Sequence, residues 1–353
     1  MWLFLFPNNH ETPMKKIVIK KYGSAKEAFQ FQEQESLSPK DSEVLIQVEG
    51  FGLNYADVMA RNGLYKEAPK LPFVPGYEIV GKVIQRGKDV PEEFERKRVV
   101  AFTRFGGYAE QAVSDYRGIA VIGDDLSGGE ACALATPYCT AYYMAEYLTN
   151  MHHGDVALIH GCAGGVGTAL TQLCKRKGVA VVGLCGSAEK VEYLEEMGVD
   201  HPINYKLTSY SSYVEKHLGK RQVDFIFNPV AGTSFKTDLK LLSFGGRIFC
   251  YGGSSRSGQK NHIGNDLVFL LKTGFLSPLF MMMKSQGVIG VNMLRIADHK
   301  IEIIGKCLHD LYRLWEEGEI KPLVGGAFSA ENIAEAHDVL ESGKSMGKIY
   351  VYW

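Results

Sequence analysis

From about residue 140 to residue 252 the chain alternates short apolar runs with amphipathic stretches, and this alternation restricts the fold more than any other feature. The runs are VALIHG, VAVVGLCG, VDFIFNPV and GRIFCYGG; GTALTQLCKRKG, ending at Gly178, and EKVEYLEEMG lie between them as helices, and CTAYYMAEYLT precedes them as another. Strands that are apolar on both faces must be covered on both, which implies a parallel sheet between two layers of helices. Right-handed crossovers then make a doubly wound α/β arrangement the economical topology.

Residues 14 to about 135 follow a different grammar. KKIVIKKYG, EVLIQVEGFG and YEIVGKVIQRG are extended pieces divided by turns, KRVVAFTRFGGYAEQAVS reads as two short strands at a glycine turn, and NYADVMARN is the one early helical candidate. An antiparallel, barrel-like domain is expected there. Beyond the alternating region, KIEIIGKCLHDLYRLWEEGEI reads as a strand running into a helix, ENIAEAHDVLESG as an amphipathic helix, and GKIYVYW as a terminal strand free to return to the first domain. A length of 353 residues favours two cores over one. The expected division is 14–135 for the first part of the β-rich domain, 136–290 for the parallel-sheet domain, and 291–353 for a crossover and return.

The balance of 39 basic against 40 acidic residues provides no field to gather nucleic acid or an anionic surface, which argues against a polyanion-binding module. Seven cysteines without CxxC spacing, several inside apolar runs as Cys174 and Cys250 are, fit reduced thiols in a cytoplasmic protein. The opening MWLFLFPNN is too short to span a bilayer and lacks a basic residue before its apolar run; Met14 is a second candidate start, with residues 1–13 an extension of unassigned purpose. FLLKTGFLSPLFMMMKSQGVIG is interrupted by lysines and Gly/Pro, so a core or interface helix is preferred there, with peripheral membrane contact through 269–283 left open.

The strongest local signal is VALIHGCAGGVGTALTQL, which sets Gly161, Gly164, Gly165, Val166 and Gly167 between a strand and a helix. Glycines allow a phosphate to approach the backbone, and a helix N-terminus offers N–H groups without partners, so the turn reads as a pyrophosphate cradle. It departs from GxGxxG, and a tight packing bend is the bland alternative. The next strand ends in GLCGSAEK, with no acid at its tip to hold a ribose 2′-hydroxyl and with Glu189 already inside the following helix. Ser187 can donate to a 2′-phosphate and Lys190 can neutralise it, which favours NADPH over NADH. Alternatively Ser187 only caps the helix and Lys190 is solvated.

The ordered set GLNYADVMARNGLY, LPFVPGYEIVGKV, GGYAEQAV, CTAYY, HGCAGGVGTALTQL, VDFIFNPVAG, GGRIFCYG and IKPLVGG with MGKIYV resembles the zinc-free quinone oxidoreductases of the medium-chain dehydrogenase/reductase superfamily, from Met14 almost to the C-terminus. The long connection Ser254 to Met283, followed by GVIGVNMLRI, resembles the VAT-1-like branch. The resemblance implies a Rossmann doubly wound parallel sheet set into a discontinuous GroES-like β-rich domain, an active cleft between the two, and a homodimer joined through cofactor-domain sheet edges. In zinc-containing relatives the ligands would stand at Asn54, Tyr77 and Thr136, none of which supplies thiolate or imidazole; the lobe for a structural zinc is missing too, and no metal is expected.

By the same resemblance Asn54 and Tyr65 face the substrate as donors to an acceptor oxygen, and Thr140 lies against nicotinamide or its ribose. Tyr205 contacts cofactor phosphate, Gly232 and Gly252 lie near nicotinamide, and Lys348 near the cofactor cleft. Each has a plainer alternative: an exposed aromatic for Tyr205, tight turns for the two glycines, a solvated edge lysine for Lys348, a packing aromatic for Tyr77, a helix cap for Asp57. Glu78 is expected to be buried and paired, and Cys139 has no base to activate it. The implied reaction is NADPH-dependent reduction of a quinone or a related activated enone or carbonyl without zinc. A nucleotide-binding structural or interaction protein with little turnover is the alternative of another class.

Overall fold

The computed structural model describes residues 13–254, 273–274 and 276–353; the opening MWLFLFPNN and most of the connection from Ser254 to Met283 lie outside the described residues. The first region begins with a hairpin-like pair, β1 (Met14–Ile19) and β2 (Phe29–Gln34). It continues with β3 (Glu43–Leu53), β4 (Glu78–Arg86), β5 (Arg98–Phe102), β6 (Gln111–Asp115) and β7 (Ile119–Val121). The second contributes β8 (Val156–His160), β9 (Ala180–Cys185), β10 (His201–Asn204), β11 (Val223–Asn228), β12 (Leu242–Cys250) and β13 (Gly287–Gly290), and the chain closes with β14 (Val324–Ser329) and β15 (Lys348–Tyr352).

The first sheet is mostly antiparallel, in the order β14-β15-β3-β4-β5-β7, with β6 also on β3. KRVVAFTRFGGYAEQAVS forms β5 and β6 as expected, but the two do not pair with each other. The glycine turn between them spends its amides elsewhere: Gly106 N–H donates to Val74 O at 2.9 Å and Tyr108 N–H to Pro75 O at 3.0 Å. Those bonds send β6 to β3 instead of back along β5.

The four apolar runs form β8, β9, β11 and β12 of an all-parallel six-stranded sheet, order β10-β9-β8-β11-β12-β13. Its chain order reverses between β8 and β11, which opens a crevice at their carboxyl ends. The two outer strands, HPIN and GVIG, escaped the sequence reading because four residues are too few to show a period. All but the last two residues of CTAYYMAEYLT lie in a helical run from Gly128 to Tyr147, with wide π-type turns at Leu134–Tyr138, around Pro137, and at Tyr143–Tyr147.

Two expectations are corrected. KIEII is not a strand, because Ile301–Glu316 is one continuous helix. It buries Ile304, Cys307, Leu308, Leu311 and Leu314, a helical stripe that outweighs the β-branched run at its start. The apolar segment near 280 is not a core helix where it is described: Pro278–Lys284 buries no residue, and Phe280 and Met282 are 63% and 69% exposed.

The last strand joins both halves. β15 pairs antiparallel with β3, while Gly347, the residue before it, donates its N–H to Ala163 O in the glycine turn at 3.0 Å. The long helix is fixed to the β-rich region by equally close packing, since a Cβ on Gly305 would overlap the Arg117 carbonyl. Gly305→Ala is therefore expected to cost about 1–3 kcal/mol despite alanine's better helix propensity. A melting temperature equal to or above that of the parent would refute this packing account.

Candidate active site

The site begins where β8 hands the chain to the helix Gly165–Arg176. Gly161 turns with φ +62°, and Gly164 N–H closes the turn on Gly161 O at 2.9 Å. Gly167 is needed for packing: a Cβ there would meet Gly161 O and the Cys162 backbone at about 2.5 Å. Gly165 lies against Pro137 of the wide helical turn. The first-turn N–H groups of Gly165, Val166 and Gly167 have no acceptor within their own helix, the condition that lets a helix N-terminus take an anion.

The carboxyl end of β9 forms a second corner. Ser187 caps the helix Ala188–Glu196 by accepting from Lys190 N–H, so the capping alternative is realised. Accepting uses a lone pair and leaves the hydroxyl proton available to an incoming oxygen. Lys190 is not simply solvated, because its ammonium donates to Gly343 O at 2.7 Å and burial lowers its pKa, with nearby Lys206 acting in the same direction. Tyr205 is half exposed and lies over Gly186, where a Cβ would come within 3.0 Å of the phenol oxygen; the Lys206 stem reaches the same glycine. Lys206 thus adjoins Ser187, Lys190 and Tyr205; the sequence reading took Tyr205 from INYK and passed over the lysine next to it.

The third corner is a buried polar cluster in the β-rich half. Lys348, 2% exposed, forms an ion pair with Glu78, 0% exposed, which excludes the solvated-edge alternative. The ammonium also donates to Leu53 O at 2.9 Å and to Asn54 Oδ1 at 3.0 Å, while Asn54 Nδ2 donates to Glu78 Oε1 at 2.9 Å. Both ends of the Asn54 amide are therefore fixed, and one Nδ2 hydrogen remains for another acceptor. Asp57 accepts from Asn54 N–H at 2.8 Å, so it does orient the start of the helix Tyr55–Arg61. Burial pushes its carboxyl up to about 7, against the lowering effect of that hydrogen bond, and Glu78 raises it further.

Tyr65 packs edge-on against Tyr77 with ring centroids 6.2 Å apart, and Tyr77 packs in turn on Phe105 at 5.1 Å, the packing role expected of it. Burial pushes the Tyr65 phenol up to about 12, so it stays protonated through the neutral range. Thr140 is buried and donates its hydroxyl to Thr136 O at 2.7 Å, leaving only acceptor capacity toward the cleft. Gly232, φ +64°, starts the helix Thr233–Leu241, and Gly252 lets the turn after β12 pass close to Pro229 O. All seven cysteines are unbridged; Cys139 is buried, with Cys307 beside it and burial raising its thiol pKa. Among the described residues no three His, Cys, Asp or Glu side chains converge as a metal-holding group, and no helix is long and apolar enough to cross a membrane.

Residues 40–144 match the alcohol dehydrogenase GroES-like domain family, and residues 165–303 match the zinc-binding dehydrogenase family. The synaptic vesicle membrane protein VAT-1 homolog of Rattus norvegicus is 31% identical over 318 residues, 88% of this chain and 77% of that protein. The quinone oxidoreductase of the same organism is 30% identical over 316 residues, 88% of this chain and 89% of that one. The chain belongs to the quinone oxidoreductase family, VAT-1-like branch. It is an oxidoreductase of the medium-chain dehydrogenase/reductase superfamily, with the Rossmann and GroES-like architecture of that superfamily. The crystal structure of human synaptic vesicle membrane protein VAT-1 homolog-like protein superposes with a TM-score of 0.82 at 25% identity, covering 97% of this chain and 98% of that one. A mycobacterial protein solved as its NADPH complex gives 0.82 at 25% identity over 96% of this chain and 100% of that one.

Two expected outcomes follow from the buried cluster. A Cβ at Gly52 would overlap the Glu78 carboxylate and the Lys348 stem. Gly52→Ala should separate the pair and cost about 3–5 kcal/mol in urea unfolding, the scale for breaking a buried ion pair. Asp57 titrates near 3.8 when unfolded and about 7 when folded, so the native chain binds the extra proton between those values. Stability should accordingly fall as pH rises from about 4 to 7, and Asp57→Asn should remove that slope. Parallel pH profiles for parent and variant would contradict the shift.

Proposed function

We propose that this oxidoreductase uses NADPH to reduce quinones, or related activated enones and carbonyls, by direct hydride transfer without zinc. The observation that supports the reading is one returning segment that touches all three corners: Lys190 donates to Gly343 O, Gly347 N–H to Ala163 O in the glycine turn, and Lys348 to Asn54 Oδ1. The sequence relationship to a quinone oxidoreductase and the structural likeness to a protein solved with NADPH support it.

The nicotinamide supplies the hydride when the cofactor is bound. The N–H groups of Gly165, Val166 and Gly167, with Gly164 ahead of them, hold the pyrophosphate at the helix N-terminus. Ser187 donates to the 2′-phosphate while Lys190 and Lys206 neutralise it, and Tyr205 covers that phosphate from the side. Gly232, Gly252 and Thr140 shape the nicotinamide end. At the acceptor, the free Nδ2 hydrogen of Asn54 and the Tyr65 phenol donate to the oxygen on which negative charge develops. Lys348 and Glu78 keep the Asn54 amide from turning, so its donor is already aimed. The proton completing reduction comes from solvent.

The donor set does not fit a catalytic zinc. Asn54 is committed to Lys348 and Glu78, Tyr77 is a buried phenol whose pKa burial raises still further, and Thr136 offers only a hydroxyl. We also assign a homodimer in the cytoplasm, joined along β13, the outermost strand of its sheet among the described residues, where the exposed Leu279, Phe280, Met282 and Met283 adjoin. That same apolar face favours the second reading, a nucleotide-binding interaction protein with little turnover.

Binding and turnover separate the two. The purified chain is expected to bind NADPH about tenfold or more tightly than NADH, and to oxidise NADPH only when a small quinone is added. Removing the Ser187 and Lys190 side chains should erase the preference, and Asn54→Ala should lower kcat by about tenfold to a hundredfold with NADPH affinity retained. Tight NADPH binding without quinone-dependent oxidation would favour the interaction reading. Equal affinities for the two nucleotides would remove the 2′-phosphate corner.

A further inference from the structure

A second buried polar cluster lies beneath the crevice, and the proposed reaction does not use it. His160 is the last residue of β8 and Asn228 the last of β11, the two strands between which the sheet order reverses. Asp238, 0% exposed on the helix Thr233–Leu241, meets both. Its carboxylate accepts from Asn228 Nδ2 at 2.6 Å and from the Tyr210 hydroxyl at 2.9 Å, and His160 Nε2 lies 3.0 Å from each of its oxygens. A carboxylate accepts, so His160 holds its proton on Nε2.

The consequence falls on the turn after β11. With Nδ2 committed to Asp238, and more distantly to Ser234 Oγ at 3.0 Å, the Asn228 amide must point Oδ1 the other way, where it accepts from Val230 N–H at 2.7 Å and Ala231 N–H at 2.8 Å. A flipped amide would set an NH2 group against two N–H donors. These bonds hold Ala231 at φ +57° and Gly232 at φ +64°, left-handed backbone that alanine seldom adopts. The next turn is attached to this one: Tyr251 N–H donates to Asn228 O at 3.2 Å and Ser254 N–H to Pro229 O at 3.0 Å.

We propose that Asp238 is a positioning residue: through the Asn228 amide it sets the Pro229–Gly232 turn, and so the wall against which the nicotinamide half of the dinucleotide lies. The proposal rests on the cofactor reading above. It assigns no chemistry to Asp238 itself, which touches neither cofactor nor acceptor. The adenosine half, held at Ser187 and Lys190 beyond β9, is independent of it.

That independence supplies the test. Dissociation constants are measured on the full chain for NADPH and for 2′,5′-ADP, which carries only the adenosine half, in the parent, Asp238→Asn and Tyr210→Phe. Asp238→Asn is expected to weaken NADPH by about tenfold while 2′,5′-ADP changes less than about twofold; Tyr210→Phe, removing one bond without changing shape, should give a smaller loss in the same direction. In turnover kcat should fall while KM for the quinone holds. Unchanged NADPH affinity in both variants, or equal losses for the two probes, overturns the positioning role. Should Asp238→Asn not fold, Tyr210→Phe decides by the same comparison. Failure of the parent to bind either probe sinks the cofactor reading and this inference with it, an outcome distinct from any difference between variants.

Discussion

The ion pair between Glu78 and Lys348 is the constraint on which the site depends. Two charges without access to water are tolerable only together, and loss of either leaves the other uncompensated at a cost of about 3–5 kcal/mol. Their meeting therefore requires β4 to carry Glu78 inward, β3 to pass without a side chain at Gly52, and β15 to return from the far end of the chain. The same return brings Gly347 onto Ala163 of the glycine turn. One strand thus completes the β-rich sheet, neutralises a buried carboxylate and sets the height of the cradle beside it.

The lysines near the cleft are treated in opposite ways. Lys348 is buried with its counter-charge, so its remaining influence is geometric: it holds the Asn54 carbonyl and leaves one amide hydrogen without a bond to this cluster. Among the described residues Lys190 has only a carbonyl partner, and with Lys206 nearby the corner is positively charged. Charge of that kind favours an anion that supplies the missing neutralisation, whereas the Glu78 corner has no such demand. In the proposed reaction this would separate holding the cofactor, which calls for charge, from aiming at a neutral acceptor, which calls for fixed donors.

How much of this was legible depended on whether the cause was local. The parallel sheet was readable from four apolar runs because burial on both faces leaves its mark in every residue, and the glycine turn because close approach excludes side chains at fixed positions. The helix at Ile301 was not, since K-I-E-I-I carries a strand pattern and only the later leucines reveal the helical stripe. Ser187 and Lys190 were proposed from their strand end, whereas Lys206, beside Tyr205 just past the next strand, was passed over. The partner of Glu78 lies 270 residues away, and no spacing rule connects them.

The buried His160–Asp238–Asn228 cluster shows where such distant pairings leave a trace after all. β8 reads VALIH and β11 VDFIFN; apart from Asp224 near the opposite end, which bonds Val156 N–H and Ser243, each is apolar until its last residue. A polar side chain at the final position of a doubly covered strand must find partners or destabilise the fold, and the partners available there are those of the neighbouring strand end. Because the order of the sheet reverses between these two strands, satisfying both residues joins the walls of the crevice. The polar terminus of an otherwise apolar parallel strand is thus a sequence mark of the place where two strand ends at the switch in sheet order are tied together.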